Sequence, residues 1–259
     1  FNIDTKIITK IFLIMIPYFN GLSTTTTPTT NEILIDVLIV SLIKLFLQEI
    51  FKLTIFNTPY LKEMVMGAPR WSYLVNILFQ GGCFIACGFY AFMQYDSLDS
   101  FLNCSWDTYV LPSTRMYGIM LSSYMIRDLV NCLYSTNLLL HHVAGASVTI
   151  WAMCQPCGLE LYLGGVSTLE IGSMFNNFGT LSNPKTRSTL FFINNFIFFV
   201  GHIVGMYLVY QILIGNADIY YRYFVFTATL GICIMRQKTI YEQSQEYSTG
   251  TKADGKKKD

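Results

Sequence analysis

Charge is what this sequence has least of. Only 13% of its 259 residues are Asp, Glu, Lys or Arg, about half the share usual in soluble domains. The 17 basic and 16 acidic residues leave a net charge of +1. They are thinly spread apart from a small basic cluster at the C-terminal end, so no basic face is available to hold a nucleic-acid backbone. Nucleic acid is excluded as a partner on that ground. Histidine is scarce, with three copies, and the seven cysteines lack the paired spacing and nearby histidines of a zinc site. Neither a metal nor any other cofactor is expected. No Gly-rich loop joins a strand to a helix, which excludes nucleotide chemistry of the P-loop type. No hydrophilic loop is long enough for a globular domain.

What is present is apolar: 53% of residues are hydrophobic, 15% aromatic, and mean hydropathy is +0.43. A helix that crosses a bilayer needs about 20 mostly apolar residues, because it rises about 1.5 Å per residue through a hydrocarbon layer about 30 Å thick. Seven runs read as such helices: residues 33–56, 71–95, 114–134, 137–154, 158–179, 190–214 and 219–236. The fourth is short by that ruler and closely follows the third, which predicts a tight antiparallel hairpin with a tilted or sunken member. The expected fold is all-α, a polytopic transmembrane helical bundle.

Residues 1–32 hold a short apolar run, interrupted by Pro17 and followed by a Thr-rich linker. That reads either as a signal-like segment or as an interfacial helix. Residues 33–56 form the first span, and residues 237–259 form a basic tail.

Orientation follows from Lys and Arg in short loops, which collect on the cytosolic side. Lys62 and Arg70, then Lys185 and Arg187, then Arg236 and Lys238 fall on one side; Asp96, Asp99, Asp107 and Asp218 fall on the other. The C-terminus is thereby placed in the cytosol. The glycosylation sequon at Asn103 and the Cys154/Cys157 pair lie on the opposite side, where an oxidising lumen permits a disulfide among Cys104, Cys154 and Cys157. Lys256 and Lys257 stand fourth and third from the C-terminal end, the positions of a dilysine retrieval signal. That favours the endoplasmic reticulum, with the mitochondrial inner membrane as the alternative.

Ionisable groups at membrane depth cost about 2.5–3.5 kcal/mol for Asp, Lys or Arg, so they turn towards partners or a cavity. Here they recur at helical spacing. Tyr117, Tyr124 and Asp128 share one face of the third span, and Arg127 beside them points elsewhere, snorkelling towards the cytosolic side. On the fourth span His142, Ala146 and Thr149 share a face, and His141 and Gly145 share the next. Glu170, Ser173 and Asn177 line the fifth, with Asn176 beside them, and Asn195 and His202 line the sixth. A common interior satisfies all four stripes. Gly164, Gly165, Gly172, Gly201 and Gly205 allow the helices to approach closely. Adjacent histidines diverge by about 100°, so they do not chelate one ion. One imidazole can serve as acid or base while the other bonds a neighbouring helix, or both are structural, held by Asp128, Tyr124 or Asn177.

The segments "YMIRDL", "LLLHHVAGASVT", "GGVSTLEIGSMFNNFGTL" and "FFINNFIFFVGHIVGMYLVY" resemble the TLC domain, the fold shared by ceramide synthases and the translocating-chain-associating membrane protein. The resemblance covers residues 65–236 and implies a six-helix bundle around a lipid-accessible cavity, with an additional N-terminal helix. Where ceramide synthases carry aspartates of the "HDxSD" kind, this sequence has "STLEIGS". It therefore looks like the branch linked to membrane-lipid composition without a settled reaction. The resemblance implies a protein that binds or handles a lipid, as an acyl chain or acyl thioester, in a polar intramembrane cavity. If it is an enzyme, it is acyltransferase-like, with His141 or His142 as base and Asp128 orienting it. The alternative is a non-catalytic accessory or structural subunit with protein partners in a larger membrane complex.

Overall fold

The structure, a computed structural model, describes residues 29–65, 68–80, 92, 93, 95, 97–104, 112–131, 136–155, 158–182 and 184–249. The fold is all-α, with one short antiparallel ladder between β1 (Met64–Val65) and β2 (Ala68–Pro69). The helices are α1 (Thr30–Leu53), α2 (Pro59–Lys62), α3 (Arg70–Ile77), α4 (Leu98–Cys104), α5 (Pro112–Asn131), α6 (Thr136–Met153), α7 (Leu159–Leu181), α8 (Pro184–Ile214) and α9 (Ile219–Thr249).

Local chemistry fixes several helix ends. Thr29 caps α1: its hydroxyl accepts from the Glu32 amide at 3.3 Å, and its own amide donates to the Glu32 carboxylate at 2.7 Å, so two otherwise orphaned donors are satisfied. Gly158 precedes α7 with φ +87°, a left-handed conformation that a Cβ disfavours. Asp218 caps α9 by accepting from the Tyr221 amide at 3.0 Å. Across the same turn Arg222 donates to the carbonyls of Leu213 and Gly215, orphans at the end of α8.

α7 is the central member and packs on α8, α3, α5 and α6; α1 lies along α5, and α9 rests on α8 and α6. Close approach of α7 and α8 depends on small residues. A Cβ on Gly201 would stand 2.7 Å from the Thr168 carbonyl oxygen, and Gly165 and Gly205 face each other backbone to backbone. The Thr168 hydroxyl donates to the Gly201 carbonyl at 3.2 Å in that gap.

The polarity of α1 is inverted relative to a soluble helix. Its buried face holds Asp36, Ser41, Lys44 and Gln48 beside Ile33, Val37 and Val40, whereas Leu34, Leu38, Leu42 and Phe46 are exposed. Asp36 accepts from Arg115 of α5 at 2.8 Å, and the Lys44 ammonium donates to the Met120 carbonyl at 2.5 Å while lying 4.9 Å from the Phe79 ring centre. α8 likewise exposes Phe192, Phe196, Phe199 and Ile203. Among the described residues one helical segment, Thr189–Ile214, is long and apolar enough to cross a membrane, with mean hydropathy 2.0. α1 does not meet that test because every eighteen-residue stretch of it contains Asp36 and Lys44 with Glu32 or Glu49.

Candidate functional site

Polar residues of α5, α6 and α7 meet at one level of the bundle. Asp128 of α5 and His142 of α6 are both buried, and His142 Nδ1 lies 3.4 Å from Asp128 Oδ2. Tyr124, one turn before Asp128, has its ring centre 6.1 Å from that of His142. The expectation for Arg127 needs correcting. Rather than snorkelling outwards it is 3% exposed, its Nε donates to Asp128 Oδ1 at 2.9 Å, and its Nη2 donates to Asn76 of α3 at 2.7 Å. Adjacent Cα–Cβ bonds diverge, but the long guanidinium stem curls back over Tyr124, 4.7 Å from its ring centre. A charge this deep is held by its counter-ion, because desolvating it alone costs several kcal/mol.

A second group adjoins the first. Arg236 of α9 donates to Glu170 Oε1 of α7 at 3.2 Å, to the Leu169 carbonyl at 3.1 Å and to His141 Nε2 at 3.4 Å. A guanidinium has no acceptor, so Nε2 of His141 accepts and the ring proton belongs on Nδ1. On the other side of Glu170, Gln80 donates to Oε2 at 2.9 Å and accepts from Asn177 at 2.7 Å. The two imidazole centres are 5.4 Å apart. The histidines therefore divide: His142 faces the Asp128 and Arg127 pair, and His141 faces the Arg236 and Glu170 pair.

His141, Glu170 and Arg236 also form the polar end of a cavity of about 30 Å³, otherwise walled by groups such as Met125, Gly145, Val209 and Ile232. That is room for about two waters. Gly145 belongs there because a Cβ would meet the Met125 sulfur at 2.7 Å. Thr149, next along the His142 face, shares a 2.9 Å hydrogen bond with Tyr162.

Other residues singled out from the sequence make separate contacts, although Ser173 shares the Leu169 carbonyl with Arg236. Tyr117 pairs with Ser167 at 2.6 Å. Ser173 donates to the Leu169 carbonyl of its own helix at 3.4 Å. His202 shares a 2.7 Å hydrogen bond with Gln237, and the buried Asn195 Oδ1 has no partner among the described residues. The Cys154 thiol is 3.6 Å from the Thr30 hydroxyl. Cys157, Lys256, Lys257 and the side chains of Asn103 and Cys104 lie outside the described residues.

Three participants escaped the sequence reading. Gln80 and Asn76, one turn apart, are the two amides of the stretch "NILFQGG"; both were legible as polar positions on a span. Arg236 reads from sequence as the first basic residue of the tail, and its reach into the bundle carried no local signal. No family model, no curated protein and no solved structure matches this chain.

Proposed function

We propose that the chain is a polytopic membrane protein of the TLC type, with a six-helix core behind an N-terminal span, that handles a lipid acyl group at the paired histidines. The observation that carries the membrane part is the inverted burial along α1, where Asp36, Lys44 and Gln48 are covered and Leu34, Leu38, Leu42 and Phe46 are not. Water selects the opposite arrangement, and a hydrocarbon solvent selects this one. Convergence of the buried His142, Asp128 and Glu170 with the half-buried His141 supports the chemical part. With Nδ1 on the Asp128 side, 3.4 Å from Oδ2, the Nε2 of His142 is the nitrogen that would take a proton from a lipid nucleophile, and the nearby carboxylate would steady the imidazolium so formed. His141 accepts from Arg236 and is the positioning member of the pair. The endoplasmic reticulum is the favoured membrane on the dilysine pattern.

An acyl chain does not fit a 30 Å³ cavity, so lipid handling there requires the cavity to widen. That size favours a second reading, a non-catalytic accessory subunit of a membrane complex, in which the ion pairs serve only to fix helix positions. One experiment separates the two. The protein is purified in detergent from its own membranes, and bound lipid and bound proteins are identified by mass spectrometry. Lipid handling requires a stoichiometric lipid that is lost in His142→Ala while helical content is retained. Stoichiometric protein partners with no lipid, unchanged in that variant, would establish the accessory role instead.

A further inference from the structure

Tyrosines are not spread evenly over the exposed surface of α8 and α9. Tyr207 and Tyr210 lie near the end of α8, Tyr220 and Tyr223 lie at the start of α9, and all four are exposed, Tyr210 at 48% being the lowest. They flank one turn, residues 215–218, at which Arg222 donates to the carbonyls of Leu213 and Gly215. On α9 the next exposed tyrosine is Tyr241, at 64%. The exposed large hydrophobic side chains between are Phe224, Leu230, Ile234 and Met235; Gln237 and Lys238, within the last turn before Tyr241, are exposed as well.

The spacing has a physical length. Tyr220 to Tyr241 is 21 residues of continuous helix, about 31 Å at 1.5 Å per residue, which is the thickness of a bilayer's hydrocarbon core. The other long helix agrees. Counting the same 21 residues back from Tyr210 reaches Thr189, the first residue of the apolar stretch of α8, and Lys185 and Arg187 stand just before it in sequence. Tyrosine is enriched at both membrane–water boundaries because its ring is apolar and its hydroxyl prefers the headgroups.

We infer that Tyr207, Tyr210, Tyr220 and Tyr223 form a belt against the lipid headgroups on one side, that Tyr241 marks the opposite boundary, and that the Arg236 and Glu170 pair lies in the leaflet nearer the C-terminal tail. This rests on the membrane reading above and adds depth to it. Arg236 is five residues from Tyr241, about 7.5 Å along the helix axis, and sixteen from Tyr220, about 24 Å. The polar end of the cavity therefore sits off the bilayer centre, within reach of headgroups of the tail-side leaflet, and the belt faces the other leaflet. α9 continues beyond Tyr241 to Thr249, so its last two turns stand outside the hydrocarbon.

The test is depth-dependent quenching in phosphatidylcholine vesicles whose chains carry bromine at a shallow or a deep carbon. Tyr207→Trp, Tyr223→Trp, Leu230→Trp and Tyr241→Trp are each compared with the unsubstituted protein, and the added fluorescence is read. Tryptophan at 207, 223 and 241 is expected to be quenched at least twofold more by the shallow bromines, and tryptophan at 230 by the deep ones. Equal preference at all four, with quenching present, overturns the belt while leaving the membrane reading intact. No quenching at 230 by either lipid overturns the membrane reading itself.

Discussion

His142 Nδ1 stands 3.4 Å from Asp128 Oδ2, and the other oxygen of the same carboxylate is engaged by Arg127. One buried acid thus accepts from a guanidinium of its own helix and stands against an imidazole from a neighbouring one. Loss of Asp128 would leave the buried Arg127 guanidinium without its counter-ion.

Asp128→Ala is expected to destabilise the bundle by about 3–5 kcal/mol, because it leaves the Arg127 charge desolvated and uncompensated. Thermal unfolding in detergent, followed by circular dichroism, measures it. The double variant Asp128→Leu with Arg127→Met is expected to recover most of the loss, since charge and counter-ion depart together. A double variant as unstable as Asp128→Ala alone would show that packing, not charge, sets the cost.

Gln80 stands between Glu170 and Asn177 with both ends of its amide engaged. Gln80→Leu keeps the bulk and removes both bonds, which is expected to cost about 1–3 kcal/mol for each group left unsatisfied. Gln80→Glu is expected to be worse at neutral pH, because a second carboxylate would face Glu170. The same unfolding measurement ranks the two.

Gly201 and Gly231 provide a matched pair. A methyl on Gly201 would meet the Thr168 carbonyl oxygen at 2.7 Å, whereas one on Gly231 would meet nothing within 4 Å. Gly201→Ala is expected to destabilise by about 1–3 kcal/mol through forced separation of α7 and α8. Gly231→Ala is expected to stabilise by about 0.4–1 kcal/mol, through the entropy of the unfolded chain. Equal effects from the two would contradict the tight α7/α8 contact.

Glu32 lies just ahead of the first span, and its carboxyl is held below the usual carboxylate range chiefly by the Thr29 amide that donates to it. The sign follows from linkage: a group whose folded pKa is depressed stabilises above its ordinary pKa, and the stabilisation fades as pH falls through the folded value. Amide protection at the first turn of α1 is expected to decline on acidification while protection at its middle stays constant. Glu32→Gln, which keeps an acceptor but no charge, is expected to remove that pH dependence.

How much could be read without coordinates differs by element. The helix carrying the double histidine was expected at 137–154 and is Thr136–Met153; the one carrying Glu170 was expected at 158–179 and is Leu159–Leu181. Apolar run length and helical rise decide such limits, and both are local. The last helix was expected to stop at 236 and runs to Thr249, because "QKTIYEQSQEYST" is polar without containing a helix breaker, and polarity alone does not end a helix. The short β1/β2 ladder had no periodic signal in two residues per strand.

The amino-acid order by itself determined the long helices such as those of Asp128, His142 and Glu170, and that Asp128, His142, Glu170 and Asn177 each lie on a polar face of one, since 3.6-residue periodicity is a property of a single chain segment. The choice of partner was decided only in three dimensions. That His142 meets Asp128, that His141 meets Arg236 across some ninety-five positions of chain, and that Gln80 joins Glu170 to Asn177 all depend on how the helices rotate and slide against each other. Those rotations are set by close contacts such as Gly201 on Thr168, which act between segments and leave no imprint on the spacing within either one.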